Sequence, residues 1–211
     1  FTIFYMAINI GALLPGFIVG TLGERMGWHY GFSAAALGML VGMAGFAVLA
    51  PRWLGAIGKF PQQRDQGFAR SPLSAAEKGQ LRLILVLAAF AVLFWTGFEQ
   101  WGGLLNLYAA NSTDRTIGGF EVPATWFQSL NPFYIIVFTP VMAMLWTGLA
   151  RRGLNPSPPL KMALALALLG GGMALMVGAT IEAGGAGDGR SAMLWLLGAY
   201  LLISLGELAF A

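Results

Sequence analysis

Two of the nine acidic residues in this 211-residue chain, Glu99 and Glu207, stand inside runs that are otherwise apolar. From Leu83 to Leu105 every residue but Glu99 is uncharged, and a helix of that length spans a hydrocarbon layer of about 30 Å at roughly 1.5 Å per residue. A carboxylate at that depth costs about 3 kcal/mol or more, so it is retained where it faces protein or water and does something there. The plainer reading is an ion pair that locks two helices. No lysine or arginine lies beside either acid within the apolar runs. The counter-charge must then come from a more distant helix, from a ligand or from a proton, since an acid in a low-dielectric layer favours a partner or its neutral form.

Neutral polar groups accompany the two acids. Asn9 lies in the first apolar run, Thr96 and Gln100 flank Glu99, and Gln128, Ser129 and Asn131 open the fourth run. Amides both donate and accept, which suits a ligand with peptide-like groups; interhelical hydrogen bonding is the competing role for each of them. Trp95 falls one helical turn before Glu99 on the same face. A lone tryptophan there packs or anchors, whereas beside a buried acid it is suited to wall a cavity.

The elements that must carry these groups are membrane spans. The chain is 57% hydrophobic and 10% charged, against about a quarter charged in ordinary soluble domains. Six apolar segments occupy about 1–21, 29–50, 81–108, 125–149, 160–181 and 192–211. None alternates as barrel strands do, so the expected class is an all-α membrane protein. Nine of the twelve cations, Arg52, Lys59, Arg64, Arg70, Lys78, Arg82, Arg151, Arg152 and Lys161, lie in or beside the 51–80 and 150–161 connections. The positive-inside rule makes both cytoplasmic. The same placement accounts for the net charge of +3 without nucleic acid.

With no cysteine and a single histidine, His29, the chain offers no thiol nucleophile or histidine metal cluster. It has no HExxH, P-loop or GxSxG signature, so neither an enzyme nor an ATP-driven pump is indicated. Residues 51–80 are polar, basic and broken by Pro51, Pro61 and Pro72, as befits a linker between helix groups. Ser74 and Glu77 have the spacing of a capping box that starts the next helix. The glycine-rich stretch 182–191 is expected as a flexible connection. Gly38, Gly42 and Gly45 are expected to let helices approach closely, while Pro15, Pro132 and Pro140 should loosen the spans that contain them.

The ordered matches are specific. Phe4-Tyr5-Met-Ala-Ile8-Asn9-Ile-Gly11 resembles the FYxxINxG signature of the proton-dependent oligopeptide transporter family of the major facilitator superfamily. Gly27-Trp-His-Tyr-Gly-Phe32 resembles its GWHYGF segment, and Phe94-Trp-Thr-Gly-Phe-Glu-Gln100 its FWxxFEQ. Trp126-Phe-Gln-Ser-Leu-Asn-Pro132 resembles its WFQSLNP, and Leu205-Gly-Glu-Leu208 its LGEL. Departures are Ala12, where the family often has Ser, and Trp101-Gly-Gly, where it often has Gln-Gly-Ser.

The resemblance implies a twelve-helix fold of two six-helix bundles, of which this chain supplies family helices five to ten. Residues 1–50 would be the last two helices of the N-terminal bundle, 51–80 the cytoplasmic link and 81–211 the first four helices of the C-terminal bundle. It also implies that Asn9, Trp95 and Asn131 line a peptide cavity and that Glu207 binds the peptide's amino terminus. Glu99 would be the glutamate that exchanges with a lysine of the fourth family helix, outside this chain together with the ExxER motif of the first. The expected activity is proton-driven import of di- and tripeptides across the inner (plasma) membrane by a monomer, with protons as coupling ion and no cofactor. Transport of nitrate or another non-peptide solute, a six-span channel and a non-transporting membrane binding protein stay open as alternatives.

Overall fold

The computed structural model describes residues 2–57, 72–185 and 189–210. Helices α1 (Thr2–Met26) and α2 (Trp28–Trp53) are joined by Gly27 alone. The sequence suggested a connection of several residues. One suffices because Gly27 takes φ 116°, a region closed to residues with a Cβ, while its N–H still bonds Leu22 O and Gly23 O at the end of α1. At the foot of this hairpin, a Cβ on Gly31 would lie 2.7 Å from Val19 O, so the two backbones touch. Pro51 falls within the last turn of α2 rather than beyond it. Most of the linker, including Lys59, Arg64 and Arg70, lies outside the described residues.

Helix α3 (Ala75–Phe98) begins with the capping box: Glu77 N–H donates to Ser74 Oγ at 3.2 Å and Ser74 N–H to Glu77 Oε2 at 2.7 Å. The third apolar segment is not one continuous helix. After Phe98 it tightens into a 3₁₀ turn, Glu99–Trp101, passes Gly102 and Gly103, and resumes as α4 (Leu104–Ser112). A break at membrane depth frees carbonyls that must find donors. Tyr200 O–H donates to Trp101 O at 3.0 Å, and the Gln100 amide to Thr96 O at 3.1 Å.

The segment after α4 makes strands β1 (Thr113–Asp114), β2 (Thr116–Ile117) and β3 (Phe120–Glu121), then a 3₁₀ stretch, Ala124–Ser129. Strands β2 and β3 form a hairpin, and β1 pairs in parallel with β4 (Ser191–Ala192). Helices α5 (Leu130–Arg151), α6 (Pro158–Gly185) and α7 (Leu194–Phe210) complete the chain. Pro132 sits in the first turn of α5, where the missing N–H has no intrahelical partner to lose, so it does not loosen the span. Pro15 and Pro140 stand well inside their helices.

Five stretches, Phe4–Met26, Trp28–Trp53, Ala75–Ser112, Ala124–Arg151 and Pro158–Gly185, are long and apolar enough to cross a membrane, and Leu194–Phe210 is a shorter apolar helix. The core lies where α3, α4, α6 and α7 meet, around Phe94, Phe98, Leu105, Leu169, Tyr200 and Ile203. Helices α6 and α7 cross on two glycines, one from each. A Cβ on Gly172 would lie 3.0 Å from Ala199 O, and one on Gly206 would lie 2.9 Å from Ala165 O. Helix α2 buries only Gly31, and nothing lies within 4 Å of where a Cβ would stand on Gly38, Gly42 or Gly45. Those three glycines therefore pack on nothing among the described residues.

Candidate functional site

Glu207 is placed by three elements: α7 carries it, α5 presents Asn131 and α1 presents Tyr5. Its Oε2 accepts from Asn131 Nδ2 at 3.0 Å, and its Oε1 accepts from Tyr5 O–H at 3.4 Å. The orientation of the Asn131 amide follows from its surroundings. Ser204 Oγ donates to Tyr200 O at 2.7 Å, so it can only accept from Asn131 Nδ2, at 3.0 Å. Both amide protons are then directed, one to Ser204 and one to the carboxylate. Asn131 and Ser204 are buried and Glu207 is partly buried. A carboxylate held this way, with donors fixed on one side, remains an acceptor for a cation.

Asn9 lies on α1 one turn beyond Tyr5, is buried and donates to Tyr5 O at 2.9 Å. The structure thus gathers Asn9, Asn131 and Glu207 around Tyr5. Trp95 and Glu99 stand on the α3 side. The Trp95 ring meets Phe98 edge-on at 5.2 Å and Phe210 at 6.0 Å, and it remains 42% exposed. Glu99 caps α3 where the helix turns 3₁₀, is exposed, and is within electrostatic reach of Glu207. Among the described residues neither acid has an ion-pair partner; Arg115 with Glu121, at 2.8 Å, forms an ion pair elsewhere.

Of the other polar candidates, Thr96 donates to Val92 O within its own helix and Ser129 donates to Leu13 O of α1. Sequence reasoning missed Tyr5 and Ser204. Each had a local signal: Tyr5 precedes Asn9 by four residues and Ser204 precedes Glu207 by three, spacings that share a helix face. No group of three or more His, Cys, Asp or Glu able to hold a metal ion occurs among the described residues.

Comparison with known proteins gives this geometry a context. The profile of the POT family matches residues 1–55 and 67–211. The uncharacterized transporter YclF of Bacillus subtilis (strain 168) is 31% identical over an alignment 264 residues long, taking in 100% of this chain and 52% of that protein. The peptide transporter YePEPT of Yersinia enterocolitica is 29% identical, across 100% of this chain and 53% of its own length. The crystal structure of a peptide transporter POT in complex with sulfate superimposes with TM-score 0.77 at 28% identity, covering 99% of this chain and 52% of that one. The chain spans about half the length of the curated relatives it matches.

Proposed function

Because the chain belongs to the POT family, we propose that the protein is a proton-coupled symporter importing di- and tripeptides across a bacterial inner membrane by alternating access. The observation that carries this reading is the Glu207 carboxylate. It is held by Asn131 from α5 and Tyr5 from α1 and has no cation among the described residues. An ammonium is the natural counter-charge for such a group, and a peptide supplies one at its amino terminus. Asn9, Trp95 and Asn131 provide amide and aromatic surface for the rest of the substrate. Glu99, exposed at the break in the third span, takes the coupling role through exchange with a cation from outside this chain. Protons are the coupling ion and no cofactor enters.

In this reading α1 and α2 belong to the N-terminal bundle, α3 to α7 to the C-terminal one, and the site lies near the midplane between them. The functional unit is one copy of the full-length protein. Proteoliposomes containing the full-length protein should accumulate a labelled dipeptide against its gradient when the outside is acidified. Downhill flux without accumulation would replace the symporter by a channel, and uptake of nitrate in place of dipeptide would replace the substrate.

Topology has its own check. With residues 51–80 and 150–161 cytoplasmic, the β2–β3 hairpin faces the other side. A cysteine introduced at Ile117 should react with an impermeant thiol reagent from outside the cell, and one at Asn155 only after the inner face is exposed. Reaction of both from one side would overturn the assignment.

A further inference from the structure

The contact between α1 and the 3₁₀ stretch Ala124–Ser129 has two different halves. Its inner half is dry and tight: Ser129, 2% exposed, donates to Leu13 O at 2.8 Å. A Cβ on Gly16 would lie 2.0 Å from Ser129 Oγ, and one on Gly20 would lie 2.1 Å from Thr125 Oγ1. Two glycines one turn apart thus let the 3₁₀ backbone lie directly on α1. The outer half is polar. Glu24, exposed at the last turn of α1, accepts from Ala124 N–H at 3.0 Å, Thr125 N–H at 2.8 Å and Thr125 O–H at 2.7 Å. Thr21 accepts from Trp126 Nε1 at 2.8 Å, and Arg25 stacks 4.8 Å from the Phe120 ring centroid.

A permanent joint in a membrane protein needs no carboxylate, because close packing of small residues already holds helices together. Glu24 serves a contact that opens and closes. Its three donors come from one short stretch of the opposing helix group, and a cleft lined by Glu24, Arg25, Arg115, Phe120, Glu121 and Pro123 brings water to it. Water can replace each hydrogen bond on separation, so the contact holds without being costly to break. The two backbone N–H groups are the unpaired donors at the start of Ala124–Ser129, which the carboxylate satisfies from across the interface as an N-cap would from within.

We infer that Glu24 is a releasable latch that holds the face opposite the 51–80 linker closed, by capping Ala124–Thr125 from α1, and that it lets go once in each transport cycle. This rests on the alternating-access reading above, and the latch is the element whose release would admit substrate from that face. The deeper contact of Leu13 and Gly16 with Ser129 then acts as the pivot on which the outer ends part.

The test uses the full-length protein with spin labels at Met26 on α1 and Ile181 on α6. In Glu24→Gln, which keeps the size and one acceptor but removes the charge, the ratio of longer to shorter distances should rise about fivefold or more. A ratio within twofold of the parent overturns the latch, as does a loss of thermal stability with no change in that ratio. A second arm joins Glu24→Cys to Thr125→Cys with a short reducible cross-linker. Dipeptide uptake should fall about tenfold or more and return on reduction, whereas uptake within twofold of the uncross-linked protein would make the contact a static strut. A parent protein that takes up no dipeptide sinks the transport reading, while the distance ratio still decides the latch.

Discussion

In the full-length protein, Glu207→Gln is expected to weaken binding of a free dipeptide roughly ten- to a hundredfold, the loss of a charge-assisted hydrogen bond worth about 1.5–3 kcal/mol. The substitution is shape-preserving at this site. The glutamine oxygen can still accept from Asn131 Nδ2, and the new amide N–H₂ then faces Tyr5, whose hydroxyl can turn to accept. Folding should therefore survive, and the lost term is the charge. The variant should discriminate little between a dipeptide and its N-acetylated form, because the acetylated ligand has no ammonium. Competition of uptake by unlabelled peptides measures both. A folded variant that keeps its affinity for the free dipeptide within about twofold shows that Glu207 does not hold the amino terminus, and equal weakening for every ligand assigns it to packing.

The second large effect is structural and lies in the α6–α7 crossing. Gly172→Val places a branched side chain where even a Cβ would be 3.0 Å from Ala199 O, and Gly206→Val does the same against Ala165 O at 2.9 Å. Both obstacles are main chain and cannot turn aside, so the helices must separate. Overpacking of this kind costs about 1–3 kcal/mol and sometimes more. The detergent-solubilised protein should melt roughly 5 °C or more below the parent in each case. Gly184→Ala on the same helix, where nothing lies within 4 Å of the added atom, should melt with the parent. Equal melting of all three would show that the crossing is looser than the glycines indicate.

The two acids, the amides and most of the span positions are legible in the sequence because each is a local violation of an apolar pattern. The Ser74 and Glu77 capping box is legible for the same reason: its partners are three residues apart. The break at Glu99 is harder to see. The apolar run continues through it, and Gly102 with Gly103 are two glycines among thirty. What makes the break tolerable is the Tyr200 hydroxyl from α7, which no periodicity reveals. Glu24 is the extreme case. It looks like a solvated charge at a helix end, and its donors lie about a hundred residues away along the chain. Tyr5 likewise gains its role only when α7 brings Glu207 to it.

The single-residue junction at Gly27 has a practical consequence for anyone handling the molecule. With α1 ending at Met26 and α2 starting at Trp28, the hairpin offers a protease no extended stretch to grip and an antibody no linear epitope. An inserted affinity tag would have to pull apart two backbones already in contact at Gly31 and Val19. On the same face, the β2–β3 hairpin carries two positive-φ glycines, Gly118 and Gly119, with open space around them. That tip is where a tag or a reporter can be grafted with the spans left undisturbed.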